Sequence, residues 1–532
     1  MLATTPALAS ATVAQLMRQA ERAYADRIAG EDLKGRSVRY GDVRARSNRL
    51  ANALLASIPV GSRVAYVGRN WLEFLDVDFG LAKAGFVKVP IYFRLSTQEI
   101  ISALTLCDVR AVIADAEAAG RLTDAIRGMD KPPLMVSFGE EQEGWEVYEE
   151  LVTRASASDP AADIDARHPY QIRLTSGSTG RPKGVLLSHM AARTAMLGNL
   201  WILASECAEP RPRNLLQAPV TLAAGWTIIP TLLRGGSCVF LEQFDPEQVV
   251  EVVAAQQIHW SFVVPTMLRR LASASNLMSL RGSSLQCLIY GGEPSPTEVI
   301  RTLLDATDSL VQVFGQAEAP SCTAMLSRSD HARPELWASC GKPIPGADFC
   351  ILDAGGQASY EPDASGEVGL KSPSICDTFI GDPAAHEARI SSSGWWRTGD
   401  MGHFGEEGHL FLDGRTTDMI ISGGSNIFPA EVERAVLLHP DVTEVVVAGV
   451  RDSEWGERPA ALIYGPTITE DRIPEVREWL RGRLAPYKVP SHWFVSSQPL
   501  PRQEEYKVSR MDARHLIDER MRVSARSIGG AR

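Results

Sequence analysis

The stretch Leu174-Thr175-Ser176-Gly177-Ser178-Thr179-Gly180-Arg181-Pro182-Lys183-Gly184 packs hydroxyls, glycines and one lysine into a loop. Tyr170 to Leu174 precede it and Val185-Leu186-Leu187 follow, so the loop joins two apolar strands. Glycines let the backbone curl so that several N–H groups converge on one anion. The serine and threonine hydroxyls add donors, and Lys183 adds positive charge. This is a phosphate cradle. It differs from the Walker loop, because the lysine stands three residues after Gly180 and no Ser or Thr follows it. A Ser/Gly linker would need neither Pro182 nor a lone lysine between strands.

A cradle of this kind needs a large scaffold, and 532 residues are enough for two or more domains with a sizeable core. Composition is that of a globular chain, with 45% hydrophobic and 22% charged residues. The net charge of −11 argues against a general nucleic-acid binder. No basic run resembles a membrane anchor. The longest apolar run, Ala218 to Leu233, contains Gly225 and Pro230 and is too short for a membrane span. Met1 to Ala11 lacks the basic start of a signal peptide. The eight cysteines show no CxxC spacing and are expected to be small buried hydrophobes in a reducing, cytoplasmic setting.

Strand-like and helix-like segments alternate early in the chain. Ser62 to Val67, Phe86 to Ile91 and Val109 to Ala114 read as strands. Trp71 to Ala84 reads as an amphipathic helix. Ser96 to Cys107 reads as a helix capped by Ser96, with Glu99 three residues on. This βαβα rhythm predicts α/β layers with parallel sheets. Past the Gly-, Asp-, Ser- and Thr-dense region 394–426, Pro429-Ala430-Glu431-Val432-Glu433 opens a helix with proline and acids in its first turn. A strand over Glu444 to Val450 and a helix over about Glu470 to Leu484 follow, enough for a small second domain beginning near Asp413. Met511 to Arg532 reads as a polar tail with some helical character.

Further motifs follow in order: Tyr290-Gly291-Gly292-Glu293-Pro294, Phe314-Gly315-Gln316-Ala317-Glu318, Gly394-Trp395-Trp396-Arg397-Thr398-Gly399-Asp400, Asp413-Gly414-Arg415-Thr416-Thr417-Asp418, Ile421-Ser422-Gly423-Gly424-Ser425-Asn426-Ile427-Phe428-Pro429, and Lys507-Val508-Ser509-Arg510. Together with the cradle they make nearly the whole chain resemble the adenylate-forming superfamily: acyl- and aryl-CoA synthetases, stand-alone adenylation domains and luciferases. The motifs are most similar to those of acyl-CoA ligases. The resemblance implies an α/β fold. A large multi-sheet N-terminal domain, residues 1–412, would bind ATP and acid. A hinge, 413–417, would lead to a small mobile α/β C-terminal domain, 418–532, carrying a catalytic lysine.

It implies roles as well. An acid oxygen attacks the α-phosphate of ATP and pyrophosphate leaves, so the site needs donors and cations fixed in advance. Thr175, Ser176, Gly177, Ser178, Thr179, Gly180 and Lys183 would hold the leaving phosphates. Glu318 would hold Mg²⁺ bridging them. Phe314, Gly315, Gln316 and Ala317 would line the nucleotide. Tyr290-Gly291-Gly292 would let a backbone lie flat against adenine or the acid, and Gly291, Gly292 and Glu293 would belong to the nucleotide site. Asp400 would accept the ribose hydroxyls and Arg415 would donate to ribose or phosphate. Lys507 would neutralise the acid and α-phosphate at the transition state. Leu222, Trp226 and Tyr290 would line a pocket for an apolar aryl or acyl acid. Ser422-Gly423-Gly424, with Trp455 and Gly456, would line a thiol tunnel after domain rotation.

The sequence departs from the family pattern in places. Ala317 stands where Thr is usual, removing a donor to a charged phosphate at a cost of roughly 1.5–3 kcal/mol. Leu222 stands where His is frequent, Thr417 at the hinge position, and Gln503 and Tyr506 before the lysine. The leading expectation is adenylation of a small organic acid followed by transfer to coenzyme A. The alternatives keep adenylation and change acid or acceptor: a carrier-protein thiol, an amine, or nitrite activation that diazotises an aromatic amine. A catalytically silent nucleotide binder is the remaining alternative, and Lys507 and Glu318 count against it.

Overall fold

In the computed structural model, residues 11–160, 162–176, 182–293, 295–320, 322–362, 364–504 and 507–529 are described. They fall into two compact units. One comprises residues 1–293, 301–349 and 370–390. The other comprises residues 294–300, 350–369 and 391–532.

The first unit is built on two sheets. An eight-stranded sheet places Arg63–Val67 at its centre, parallel to Val87–Ile91 on one side and Val109–Asp115 on the other. These strands are buried on both faces, as parallel strands under helices must be. Ala65, Val89 and Val112 pack with Leu104, Leu122 and Ile126 of the covering helices. The helix Thr97–Leu106 is capped as its sequence predicts: Ser96 Oγ accepts Glu99 N at 3.3 Å, and Glu99 Oε2 accepts Ser96 N at 2.8 Å.

The helix expected to be amphipathic over Trp71 to Ala84 runs over Glu73–Lys83. It is buried from Phe74 through Lys83. Its charges are matched inside: Asp76 pairs with Arg46 at 2.7 Å, Lys83 with Glu21 at 2.5 Å, and Asp78 with Lys88. A charge pattern does not distinguish a solvated face from a buried one whose partners lie elsewhere in the chain.

The expectation of parallel pairing also gives way at one edge of this sheet. Pro169–Ser176 and Pro182–Ser188 form an antiparallel hairpin, and Thr378–Ile380 pairs antiparallel with its outer strand. A short loop can only reverse the chain, whereas a parallel return needs a crossover. The nine-stranded sheet carries a parallel core in which Trp260–Val263, Cys287–Gly291 and Leu310–Phe314 are neighbours. The apolar run from Ala218 folds as a 3₁₀ turn, Ala223–Thr227, and a short helix, Ile228–Leu233. Among the described residues no helix is long and apolar enough to cross a membrane. All eight cysteines are buried free thiols.

In the second unit, Trp396–Phe404 pairs antiparallel with Leu410–Arg415. A separate sheet is centred on Gly456–Tyr464, with Glu444–Asp452 paired antiparallel along it at the edge. Val445 and Val447 face a cluster with Val432, Val436, Val476 and Leu480. Val446, Ala448 and Val450 face the opposite cluster with Ala513 and Ile517. Helices therefore cover both faces, which explains the unbroken apolar run. The C-terminal segment is more than a polar tail. It is the helix Arg510–Gly529, and Ala513 and Ile517, four residues apart on one face, are buried in that core.

Candidate active site

In the first unit the hairpin Pro169–Ser188 sets Thr175 opposite Lys183 and Leu174 opposite Gly184. Lys183 Nζ lies 3.5 Å from Asp382 Oδ2 and 5.5 Å from the centre of the Phe379 ring. Asp382 also caps the helix Pro383–Glu387, accepting Ala385 N at 3.1 Å. The lysine is therefore steered by a half-exposed carboxylate. Neither Asp382 nor Phe379 was legible as a partner, because both lie some two hundred residues along the chain. Gly177, Ser178, Thr179 and Gly180 lie outside the described residues, as does the side chain of Ser176.

Two glycine-bearing turns leave the carboxyl ends of neighbouring parallel strands, the place where open α/β sheets bind ligands. Gly291 ends one strand so tightly that a Cβ would stand 2.3 Å from Val313 O. Gly292 follows with φ +100°, a conformation that favours glycine. Glu293 Oε1 accepts Thr266 Oγ1 at 3.3 Å. Phe314 ends the next strand. Thr323 N donates to its carbonyl at 2.7 Å, closing the base of the Gly315-Gln316-Ala317-Glu318 turn. Within it Gln316 N donates to Ala319 O at 3.1 Å, and Cys376 N donates to Glu318 O at 2.7 Å. The Glu318 backbone is thus anchored while its side chain is only half-buried.

Tyr290 is turned into the core. Its ring is wholly buried, its hydroxyl 2.9 Å from His331 Nε2 and 3.2 Å from Gln312 Oε1. Burial pushes its phenol well above the usual range and holds His331 below its own. Trp226 is held by Asn199 Nδ2, which donates to its carbonyl at 3.0 Å. The Arg173 guanidinium lies over its ring at 5.7 Å. Arg173 belongs to the hairpin strand, two residues before Thr175, so it links the hairpin to the turn bearing Leu222 and Trp226. Leu222 is half-buried. Arg173 was missed by the sequence reading, and an unexpected arginine in an apolar strand was the available signal.

In the second unit Asp400 and Arg415 face each other across antiparallel strands, with Arg415 Nε 2.7 Å from Asp400 Oδ1. Asp400 N donates to Thr398 Oγ1 at 3.1 Å, and Thr398 Oγ1 donates to Val368 O at 2.8 Å. Ser422-Gly423-Gly424-Ser425 forms a hairpin turn with φ +57° at Gly423 and +82° at Gly424. Trp455 lies directly over it. A Cβ on Gly423 would stand 2.4 Å from Trp455 Cε3, and Gly423 N donates to Trp455 O at 2.9 Å. Lys507 opens a strand that pairs with Arg502–Glu504. Its side chain lies outside the described residues, as do Tyr506 and the Gln503 side chain.

Glycine-bearing turns at the carboxyl ends of parallel strands, carrying Glu293 and Glu318, mark the first unit as a ligand-binding α/β fold. The chain belongs to the AMP-binding enzyme family, whose pattern matches residues 16–379, with the AMP-binding enzyme C-terminal domain matching residues 431–507. It is an AMP-forming ligase. An indoleacetate–CoA ligase of Aromatoleum aromaticum is 31% identical over 489 residues, 91% of this chain and 94% of that protein. A feruloyl-CoA synthase of an Amycolatopsis species is 34% identical over 464 residues, 86% of this chain and 89% of that protein. The amide bond synthetase McbA of Marinactinospora thermotolerans superposes with a TM-score of 0.84 at 26% identity, covering 95% of this chain and all of that one.

Proposed function

We propose that this enzyme adenylates an apolar aryl or acyl carboxylic acid with ATP and passes the acyl group to coenzyme A. A carboxylate oxygen attacks the α-phosphorus, the bond to the β-phosphate oxygen breaks, and pyrophosphate leaves. The thiol of coenzyme A then attacks the acyl carbon, losing its proton, and AMP leaves with the electron pair of the broken C–O bond.

The observation that carries this reading is the phosphate hairpin, with Lys183 beside Thr175, in a chain that keeps Glu318, Asp400, Arg415 and Lys507. Thr175 and Lys183 hold the leaving phosphates. Lys183 exchanges its contact with exposed Asp382 for one with phosphate. Asp400 and Arg415 bind the ribose. Lys507 meets the charge that develops on the acid and α-phosphate. Leu222 and Trp226 face the acid. Gly423 and Trp455 form the passage for the thiol. The residues present also fit Mg²⁺. A nucleotide-bound Mg²⁺ takes one or two protein carboxylates, with phosphate and water oxygens completing its shell. Glu318, half-buried on an anchored turn, supplies that carboxylate. Bound there, Mg²⁺ would neutralise phosphate charge. Residues 1–412 and 418–532 act as the two domains, and 413–417 as the hinge on which the second reorients between steps.

Pyrophosphate release from Mg·ATP tests this across aryl acids, aliphatic acids and nitrite, with coenzyme A and aromatic amines as acceptors. Turnover on a carboxylic acid that rises with coenzyme A is expected. The likeness to an amide bond synthetase favours a second reading, in which an amine takes the acyl group. Turnover that requires an amine and ignores coenzyme A would establish it. Turnover on nitrite alone would defeat both.

A further inference from the structure

Two carboxylates that no step above uses hold the chain on either side of Lys507. The strands Arg502–Glu504 and Lys507–Val508 form a hairpin with Arg502 opposite Val508. Its base is closed by Ser509 N, which donates to Pro501 O at 2.7 Å. On the incoming side, Glu444 Oε2 accepts Leu500 N at 2.7 Å and Glu444 Oε1 pairs with Arg502 Nη2. On the outgoing side, Glu433 Oε2 pairs with Arg510 Nη2, and Glu433 Oε1 accepts Val447 N at 2.8 Å. Arg510 Nε also lies 3.9 Å from Asp418 Oδ2. Glu444 and Val447 belong to one strand, Glu444–Asp452, whose side chains fill both cores of this unit. The hairpin is therefore tied to a single rigid element at both ends, directly through Glu444 and indirectly through Glu433.

These carboxylates are costly to place. The side chains of Glu444 and Glu433 are 9% and 11% exposed. Burial pushes the Glu433 carboxyl up, and the Arg510 guanidinium pulls it back down. Well-packed apolar side chains would stabilise the domain at least as well as buried ion pairs. What paired charges with both oxygens engaged add is a fixed geometry. Lys507 is a point charge on a flexible stem. Its value to a transition state depends on where the backbone beneath it stands, because misplacement by an ångström can cost about a hundredfold in rate.

We propose that Glu433 with Arg510, and Glu444 with Arg502, are positioning residues for the adenylation step, fixing the hairpin from which Lys507 reaches the reacting atoms. This rests on Lys507 being the adenylating lysine, as proposed above.

The test uses the full-length enzyme and two assays. Pyrophosphate release reports the first half-reaction. AMP release from the supplied adenylate of the best acid, with coenzyme A, reports the second. Arg510→Met and Arg502→Met, which alter partly exposed partners, are each expected to lower the adenylation kcat about 10- to 100-fold. KM values for ATP and acid, and the second half-reaction, are expected to stay within about threefold. Arg510→Lys should recover part of the loss, and Glu433→Gln should match Arg510→Met. Equal losses in both half-reactions, losses confined to KM, or no loss at all would each overturn the proposal. Lys507→Ala run alongside separates the two ideas. If it alone abolishes adenylation, the clamp fails and the lysine's role stands. If it leaves adenylation intact, that role fails and the clamp fails with it.

Discussion

Arg415 Nε sits 2.7 Å from Asp400 Oδ1, and the two residues are directly opposed across an antiparallel strand pair. Asp400 is almost wholly buried, whereas the Arg415 side chain is about half-exposed. The arginine therefore orients a carboxylate that has little other freedom, and it remains able to donate outward. Hydrogen bonds to charged groups contribute about 1.5–3 kcal/mol each, or roughly 10- to 150-fold in binding. Asp400→Ala is expected to raise the KM for ATP by an amount in that range, and Arg415→Ala by about tenfold. Isothermal titration with a non-hydrolysable ATP analogue checks both. Unchanged affinity in either variant removes that residue from the nucleotide site.

Gly423 and Trp455 give a steric prediction. A Cβ at Gly423 would stand 2.4 Å from the indole, at φ +57°. Gly423→Ala should slow acyl transfer to coenzyme A at least tenfold through loss of geometry at the reacting thiol, with pyrophosphate release nearly unchanged. Adding Trp455→Ala should relieve the steric part. If Gly423→Ala slows both half-reactions alike, the turn is structural and does not guide the thiol.

Ala317 occupies the tight turn between Phe314 and Glu318. If its departure from Thr is only a lost phosphate contact, Ala317→Thr should preserve or raise the rate of pyrophosphate release, by up to roughly tenfold. A large fall would mean that the small side chain makes room for part of the substrate.

His189 makes stability depend on pH. It is fully buried, and its Nδ1 accepts Val13 N at 3.2 Å, which requires the neutral ring. Burial, with His168 nearby, holds its pKa down at about 3, against an ordinary value of 6.5. Between those values the unfolded chain binds a proton that the folded chain does not, so stability rises with pH across this window. From pH 7 to pH 5 this group alone should remove about 2 kcal/mol. Urea unfolding of the wild type and of His189→Gln at the two values measures it. Equal pH slopes in the two proteins would show that His189 is not responsible.

Local chemistry was legible in the sequence wherever it depends on neighbours in the chain. The Ser96–Glu99 capping box and the opening of the helix at Pro429 involve residues a few positions apart, and their geometry follows from backbone sterics. The burial of the helix Glu73–Lys83 was not legible because Asp76, Asp78 and Lys83 find partners at Arg46, Lys88 and Glu21. A charged residue looks the same on paper whether water or a distant ion matches it. The C-terminal helix reads in the sequence as a polar tail with some helical character, because few apolar side chains, among them Ala513 and Ile517, carry its docking.

The sequence by itself determined the chemistry available. The order of its motifs, from the Thr175 loop to Lys507, places hydroxyls, glycines, carboxylates and lysines in the pattern of the AMP-binding enzyme family, and covalent order preserves such a pattern without any fold. Only the tertiary structure decided how those groups are held. Asp382 steadies Lys183, Arg173 lies over Trp226, Tyr290 turns away to His331, and Glu433 and Glu444 clamp the hairpin of Lys507. Each of these contacts joins residues from 41 to 199 positions apart. Such pairings arise only when sheets and helices pack, because burial then makes an unpaired polar group costly.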